Sequence, residues 1–437
     1  MTNQPVNRRD FLKATLALSS LTIIPRHVLG GPGYTAPSDR ITRAVIGVGG
    51  MGKAHLDYNY GELLAVCDCD SKHLKTTLSI CRDKGMSNVK GYADFREVLA
   101  RPDIDVIHIA TPPHWHALMS IMAAKAGKDV WVEKPLARTI GEGQAVRAAI
   151  EETQRMLRIN TWFRYEKDWY GVGAPVPQLK RITASRVLGW PLKINLGPST
   201  GFDWKFDDWS GTPNLGEEAI PPELDYQMWL GPAPDKPYHS KRVHLKFRGY
   251  WDYDGGGLGD MGQHYLDPAQ FLLEKDDESP YQIEGDAPQQ DIEAVSNFRH
   301  IRMKYKDGCE LNLHGFKNDE TRNLPVIEGP KGKIWSDLKS DIPNLREILQ
   351  TLPQIEPRVT EFAESVRTRQ PFALNEQNGQ RSATLINLAK IAMRVNGPLN
   401  FDSDKFRFTN SEQANMLIEE PTRAPWDINS LSINTTL

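Results

Sequence analysis

The chain reads as two unlike folds in series: a doubly wound α/β domain with a parallel sheet, then an α+β domain with an open, mainly antiparallel sheet. Three observations predict this. A β-rich run from Ile41 enters a glycine turn and then a helical pattern, which is the strand–turn–helix order of a doubly wound sheet. Apolar runs at 63–67, 104–110 and 128–132 alternate with helical stretches, as parallel strands require. After residue 160 the composition shifts, and two short strands at 298–305 and 309–314 are parted by Lys306-Asp307-Gly308, a hairpin-type turn.

The first 30 residues carry a different message. Arg8 and Arg9 stand in Asn7-Arg8-Arg9-Asp10-Phe11-Leu12-Lys13, ahead of an apolar stretch from Ala14 to Ile24 and a Gly-rich exit through Gly30, Gly31 and Gly33. A charged start, an apolar run and a polar exit make up an export signal. The apolar run is shorter than the roughly 20 residues that a membrane-spanning helix needs. The paired arginines resemble a twin-arginine address, which directs export of folded proteins. Residues 1–30 are thus expected to be a twin-arginine signal peptide and 31–40 a linker, with the mature protein in the periplasm or cell envelope. Val28-Leu29-Gly30 is the nearest small-residue exit.

Of the 437 residues, removal of that segment leaves roughly 400, enough for two domains with cores of their own, expected at 41–160 and 161–437. A net charge of -3 with 25% charged residues argues against nucleic acid or a membrane surface as the main partner. Four cysteines are too few for a disulfide scaffold. Cys67 and Cys69 point to one face of a strand and cannot easily pair. With Cys81 and Cys309 they read as small buried hydrophobes, and no metal set is expected.

In the first domain Gly47-x-Gly49-x-x-Gly52 follows a strand, with Gly50 and Met51 inside the turn. Gly47 permits the tight turn, Gly49 lets the backbone approach a pyrophosphate, and Gly52 lets the helix pack on the sheet; helix amides then hold phosphates. A second strand ends at Asp68, 21 residues after Gly47. A carboxylate there accepts hydrogen bonds from the adenosine ribose, so the domain is read as a Rossmann domain for NAD, with Lys72 leaving NADP open. The strand at 104–110 runs into Thr111-Pro112-Pro113-His114-Trp115-His116, and the strand at 128–132 delivers Glu133-Lys134-Pro135 to the same edge. Thr111, Pro112, Glu133, Lys134 and His116 are expected to border the cofactor, whereas His114 reads as structural or exposed.

In the second domain seven of eleven tryptophans fall between Trp162 and Trp251, and such aromatic density suits a pyranose face; an aromatic core is the alternative. A glycine run from Gly255 leads into a helix on which Asp260, His264 and Asp267 share one face. Carboxylates one turn from an imidazole are expected to hold one tautomer and raise its basicity. Arg164, Tyr165 and Tyr253, with Asp260 and His264, are the expected substrate contacts. Ser382 to Val395 reads as an amphipathic helix, and Pro268 as a kink after Asp267.

The glycine fingerprint, Thr111-Pro112 with a nearby His, Glu133-Lys134-Pro135, and Asp260-x-x-x-His264 together resemble the glucose–fructose oxidoreductase, inositol dehydrogenase and MocA family. The stretch Trp229-Leu230-Gly231-Pro232-Ala233-Pro234 and the tail around Arg423-Ala424-Pro425-Trp426 extend the resemblance over almost all of the mature chain. It implies Lys134 beside the nicotinamide and the substrate hydroxyl, His264 as general base, Asp260 as its orienting partner, and a sheet face used for homo-oligomerisation. The expected function is oxidation of a hydroxyl on a carbohydrate substrate. A cofactor exported inside the protein must be reoxidised in place by a second sugar or an electron acceptor. Redox-neutral, NAD-dependent glycoside cleavage is the alternative, and a non-catalytic carbohydrate-binding protein is a third class.

Overall fold

The computed structural model describes residues 40–161, 163–166, 168–356 and 358–428; the expected signal peptide and residues 31–39 of the expected linker lie outside them. The first sheet has six parallel strands: β1 (Thr42–Ile46), β2 (Glu62–Cys67), β3 (Lys90–Tyr92), β4 (Val106–Ile109), β5 (Asp129–Val132) and β6 (Leu157–Ile159), in the order β3-β2-β1-β4-β5-β6. β4 and β5 are wholly buried, which is why they read as unbroken apolar runs rather than alternating ones. Helices α1 (Ser71–Asp83), α2 (Pro113–Lys125) and α3 (Ile140–Thr153) join the strands. After the glycine turn the helical pattern folds as a 3-10 helix, Met51–Asp57. Its carbonyls at His55, Leu56 and Tyr58 accept bonds from the buried Arg43 guanidinium on β1, so β1 itself satisfies the end of this short helix.

Register sets the functional edge. Ile46 lies opposite both Cys67 and Ile109, and Ile109 opposite Val132. The residues that leave these strands, Gly47, Asp68, Ala110 and Glu133, therefore emerge side by side at one carboxyl edge.

The second sheet contains β7 (Lys193–Leu196), β8 (Gln282–Asp286), β9 (His300–Lys304), β10 (Glu310–His314), β11 (Ile327–Gly329), β12 (Gly332–Ile334), β13 (Gly397–Asp402) and β14 (Arg407–Phe408). Their order is β12-β11-β7-β10-β9-β8-β13-β14, antiparallel except at β7–β10. Ile301, Met303, Leu311 and Leu313 face the core while their neighbours stay half-exposed, the period of a sheet covered on one face.

Two helices fill the space behind the site: α4 (Gly256–Leu272) and α5 (Glu376–Val395). The expected amphipathic helix begins earlier, at a cap where Asn375 accepts from the amides of Gln377 and Asn378, and has no broad wet face. Gly379 to Met393 are buried throughout because α5 packs against α3, α4 and β8. Each fully buried Leu on it is worth about 1.5–3 kcal/mol. Two of its charged members find partners inside the protein: Lys390 donates to the Arg138 carbonyl and Arg381 to the Ser279 hydroxyl. Pro268 lies inside α4, which continues to Leu272. The four cysteines are free and mostly buried.

Candidate active site

A cleft of about 640 Å³ runs along the carboxyl edge of the parallel sheet. Gly47, Gly49, Gly50, Met51, Asp68, Thr111, Pro112, Glu133, Lys134, Asp260 and His264 all line it. Gly47 has φ +83, and a Cβ there would lie 2.7 Å from the Thr111 backbone nitrogen. At Gly52 a Cβ would come within 1.8 Å of the Gly47 carbonyl oxygen, so the turn folds back on itself in a way that no other side chain permits. Asp68 is held by the amides of Val48 and Asp70, at 2.8 and 2.9 Å on its two oxygens. Each carboxylate oxygen keeps a lone pair for a ribose hydroxyl. The glycine turn and this carboxylate fit a dinucleotide.

Across the cleft α4 supplies the polar centre. Lys134 Nζ donates to Asp260 Oδ1 at 2.9 Å and to the Asp260 carbonyl at 2.8 Å. Arg248 Nε donates to the same Oδ1 at 2.7 Å. Burial alone would raise the Asp260 carboxyl, but Lys134 and Arg248 overcome it and hold it below the usual range. His264 follows one helical turn later, with the Phe163 ring edge-on at 5.3 Å. Burial, reinforced by Lys134, pushes His264 down to about 3 against the weaker pull of Asp260 and Glu133. The expected rise in basicity is thus reversed. The carboxylate meant to raise it is already neutralised by two cations, and desolvation then decides the sign.

A buried hydrogen-bonded chain backs Lys134. Tyr60 Oη meets His108 Nε2 at 2.7 Å, His108 Nδ1 meets His55 Nδ1 at 2.9 Å, and His55 Nε2 meets Glu133 Oε1 at 2.7 Å. One set of roles satisfies every link: Tyr60 donates to His108, His108 to His55, and His55 to the Glu133 carboxylate. Asn160 also donates to Glu133. Burial opposes the Glu133 charge, but His55 and its other partners keep the carboxyl below its ordinary value. The sequence reading missed His55, His108 and Arg248; polar rings inside apolar strand and helix patterns were the only signal. It also missed Asp254, buried behind Asp260. Burial and the Asp260 charge raise the Asp254 carboxyl to about 7.

Several expected residues lie elsewhere. Arg164 is fully buried and forms a fork on Asp267, at 2.9 and 2.7 Å, with a further bond of 2.7 Å to Asp276. It binds protein rather than cleft, and it occupies the Asp267 carboxylate, which does not line the cleft. Tyr165 packs on Phe271, near the C-terminal end of α4. Tyr253 is buried among Trp229, Tyr250 and His114. His116 stands behind the cleft, its ring nitrogens 2.7 and 2.8 Å from the carbonyls of Pro135 and Thr111, so it fastens the two loops to each other. His114 is structural, 3.0 Å from the Trp229 carbonyl. Of the described tryptophans in this stretch, Trp169, Trp204 and Trp251 belong to the buried core, whereas Trp229 reaches the cleft.

Two family descriptions match the chain: "Oxidoreductase family, NAD-binding Rossmann fold" over residues 41–161 and "Oxidoreductase family, C-terminal alpha/beta domain" over residues 172–428. A glycosyl hydrolase family 109 protein of Shewanella pealeana is 31% identical over 186 residues, 37% of this chain and 41% of that protein. An inositol 2-dehydrogenase of Salmonella typhimurium is 30% identical over 195 residues, 43% of this chain and 53% of that protein. The chain thus matches about half the length, or less, of these relatives. The WlbA dehydrogenase from Bordetella pertussis, solved with NADH and UDP-GlcNAcA, superposes with a TM-score of 0.56 at 17% identity, covering 83% of this chain and 99% of that one. For the myo-inositol dehydrogenase from Lactobacillus casei, solved with NAD(H) and myo-inositol, the values are 0.52, 18%, 83% and 97%. At such identities these structures show the shared fold. The two family matches, which together account for most of the chain, show that the protein belongs to the glucose–fructose oxidoreductase, inositol dehydrogenase and MocA family of NAD-binding oxidoreductases.

Proposed function

We propose that the protein oxidises a hydroxyl of a sugar or glycoside, with Lys134, Asp260 and His264 managing the hydroxyl proton. The observation that carries this is the juxtaposition of the Lys134–Asp260–Arg248 cluster and the neutral His264 with the glycine turn in one cleft. NAD bound at that turn supplies the hydride acceptor. Lys134 donates to the substrate oxygen and favours its negative charge, while Asp260 fixes the Lys134 position. His264, kept neutral by burial, offers a ring nitrogen as acceptor. A base of low pKa takes the proton late, as the carbon gives up its hydride and the O–H turns strongly acidic. Glu133, held by His55 and Asn160, balances the positive charge of Lys134 from behind.

The Arg8-Arg9 run supports export in the folded state to the periplasm or cell envelope, with the cofactor tightly held and recycled in place by a second sugar or electron acceptor. The half-exposed polar row of β9 and β10, including Arg302 and Asn312, supports a homo-oligomer paired through the open face of the second sheet. A second reading, redox-neutral cleavage of a glycoside, is favoured by the similarity to the family 109 glycosyl hydrolase.

The test is to purify the folded protein, identify its bound nucleotide, and screen mono- and disaccharides for a change in nicotinamide absorbance with and without an acceptor. The expected result is reduction by at least one sugar and reoxidation by an acceptor. Release of a sugar with no acceptor present selects the second reading. No absorbance change and no release with any carbohydrate overturns both.

A further inference from the structure

We propose that Asp70, His73 and His244 form a binding site for one divalent transition-metal ion of the zinc class at the mouth of the cleft. One ligand atom from each lies within 4.8 Å of the others. The residues come from two distant parts of the chain. Asp70 follows β2, His73 lies in the first turn of α1, and His244 opens a 3-10 stretch, His244–Gly249, in the second half of the chain.

The separation of Asp70 and His244 suits a shared ion better than an ion pair. His244 Nε2 stands 3.4 Å from Asp70 Oδ2, and the His73 and His244 rings meet edge to face with centroids 4.8 Å apart. A charge-assisted N–H···O bond closes to about 2.7–2.9 Å. Two ligands on a tetrahedral ion, each bonded at about 2.0–2.2 Å, stand about 3.3–3.6 Å apart. Imidazole and carboxylate together select zinc, cobalt or nickel over calcium or magnesium, which take oxygen ligands.

The ligands are also positioned in advance. Asp70 Oδ1 caps α1 by accepting from the amides of Lys72 and His73, which fixes the carboxylate and leaves Oδ2 turned toward His244. Ser71 N donates to the Glu223 carbonyl at 2.8 Å and Asp225 N to the Cys69 carbonyl at 3.0 Å, so the loop after β2 is already tied to the 223–225 segment. His244 is 40% exposed and His73 28% by side chain, so an ion has a route in. An ion held here adds a tie between the Asp68 loop and the segment that begins at His244, both of which border the cleft.

The test uses the purified full-length chain without an affinity tag, treated with a chelator and titrated with Co²⁺. One equivalent is expected, with the intense visible absorption of tetrahedral Co²⁺, displaced by Zn²⁺. The band should be lost in His73→Ala and in His244→Asn; the latter suits the left-handed backbone at that position, φ +51. Neither residue belongs to the proposed catalytic cluster, and circular dichroism checks that both variants are folded. No saturable Co²⁺ binding by the wild type, or a band that persists in either folded variant, overturns the proposal.

Discussion

Replacing Arg164 with Met tests whether this arginine holds the fold together or touches substrate. Its guanidinium has no exposed surface, and the Asp267 side chain it pairs with is 1% exposed. Asp276, on the other nitrogen, is 37% exposed and can regain water. Met keeps much of the volume, so the main loss is the charge. Breaking a buried pair from one side costs about 3–5 kcal/mol, because the remaining ion sits unpaired in a dry site. Burial already pushes the Asp267 carboxyl up against the pull of Arg164, so without the arginine it takes up a proton and the cost falls toward the lower end of that range. At about 2–4 °C per kcal/mol for a domain of this size, a cost near the lower end, about 3 kcal/mol, should lower melting by about 6–12 °C. Asp267→Asn, which leaves Arg164 its bond to Asp276, should cost less, about 1.5–3 kcal/mol. The assay is thermal and denaturant unfolding beside sugar affinity for each folded variant. An Arg164→Met protein as stable as wild type but with weakened sugar affinity would refute the reasoning and return Arg164 to the cleft.

Three further outcomes are expected. His264→Asn should lower turnover by about 10²–10⁴-fold while bound NAD and melting temperature hold; equal turnover would remove His264 from the chemistry. Burial holds both His114 and His264 near 3 in the folded protein against 6.5 unfolded. The unfolded chain then binds more protons between those values, so stability is complete above pH 6.5 and declines as pH falls toward 3, with a slope approaching about 2.7 kcal/mol per pH unit for the two; a melting temperature flat from pH 7 to about 4 would contradict this. Gly52→Ala forces a Cβ onto the Gly47 carbonyl, 1.8 Å away, and should empty the protein of nucleotide, read by extraction and absorbance; wild-type NAD content would sink that account.

The nucleotide half was legible in the chain because its signals are local. Gly47, Gly52 and Asp68 sit at spacings set by one strand, one turn and one crossover, and β4 and β5 are apolar along their whole length because both faces are covered. Asp260 and His264 were legible for the same reason, being one turn apart on a helix. Signals failed where the partner is remote. Arg164 looked like a substrate ligand until Asp267, 103 positions away, took its fork. The tryptophan cluster suggested a sugar platform, but Trp169, Trp204 and Trp251 fill the core of the second domain. Arg248 carried no motif at all, although it shares Asp260 with Lys134.

The sequence by itself determined the order of the two folds, the nucleotide turn and the residue types of the candidate site, since these follow from periodicity and short-range sterics. Only the tertiary structure decided electrostatics and company. Packing placed Lys134 and Arg248 on one carboxylate, buried His264 until its basicity fell, strung Tyr60, His108, His55 and Glu133 into one chain, and brought His244 to Asp70 and His73. Desolvation and charge proximity depend on three-dimensional distance, and distance between remote residues exists only once the chain has folded.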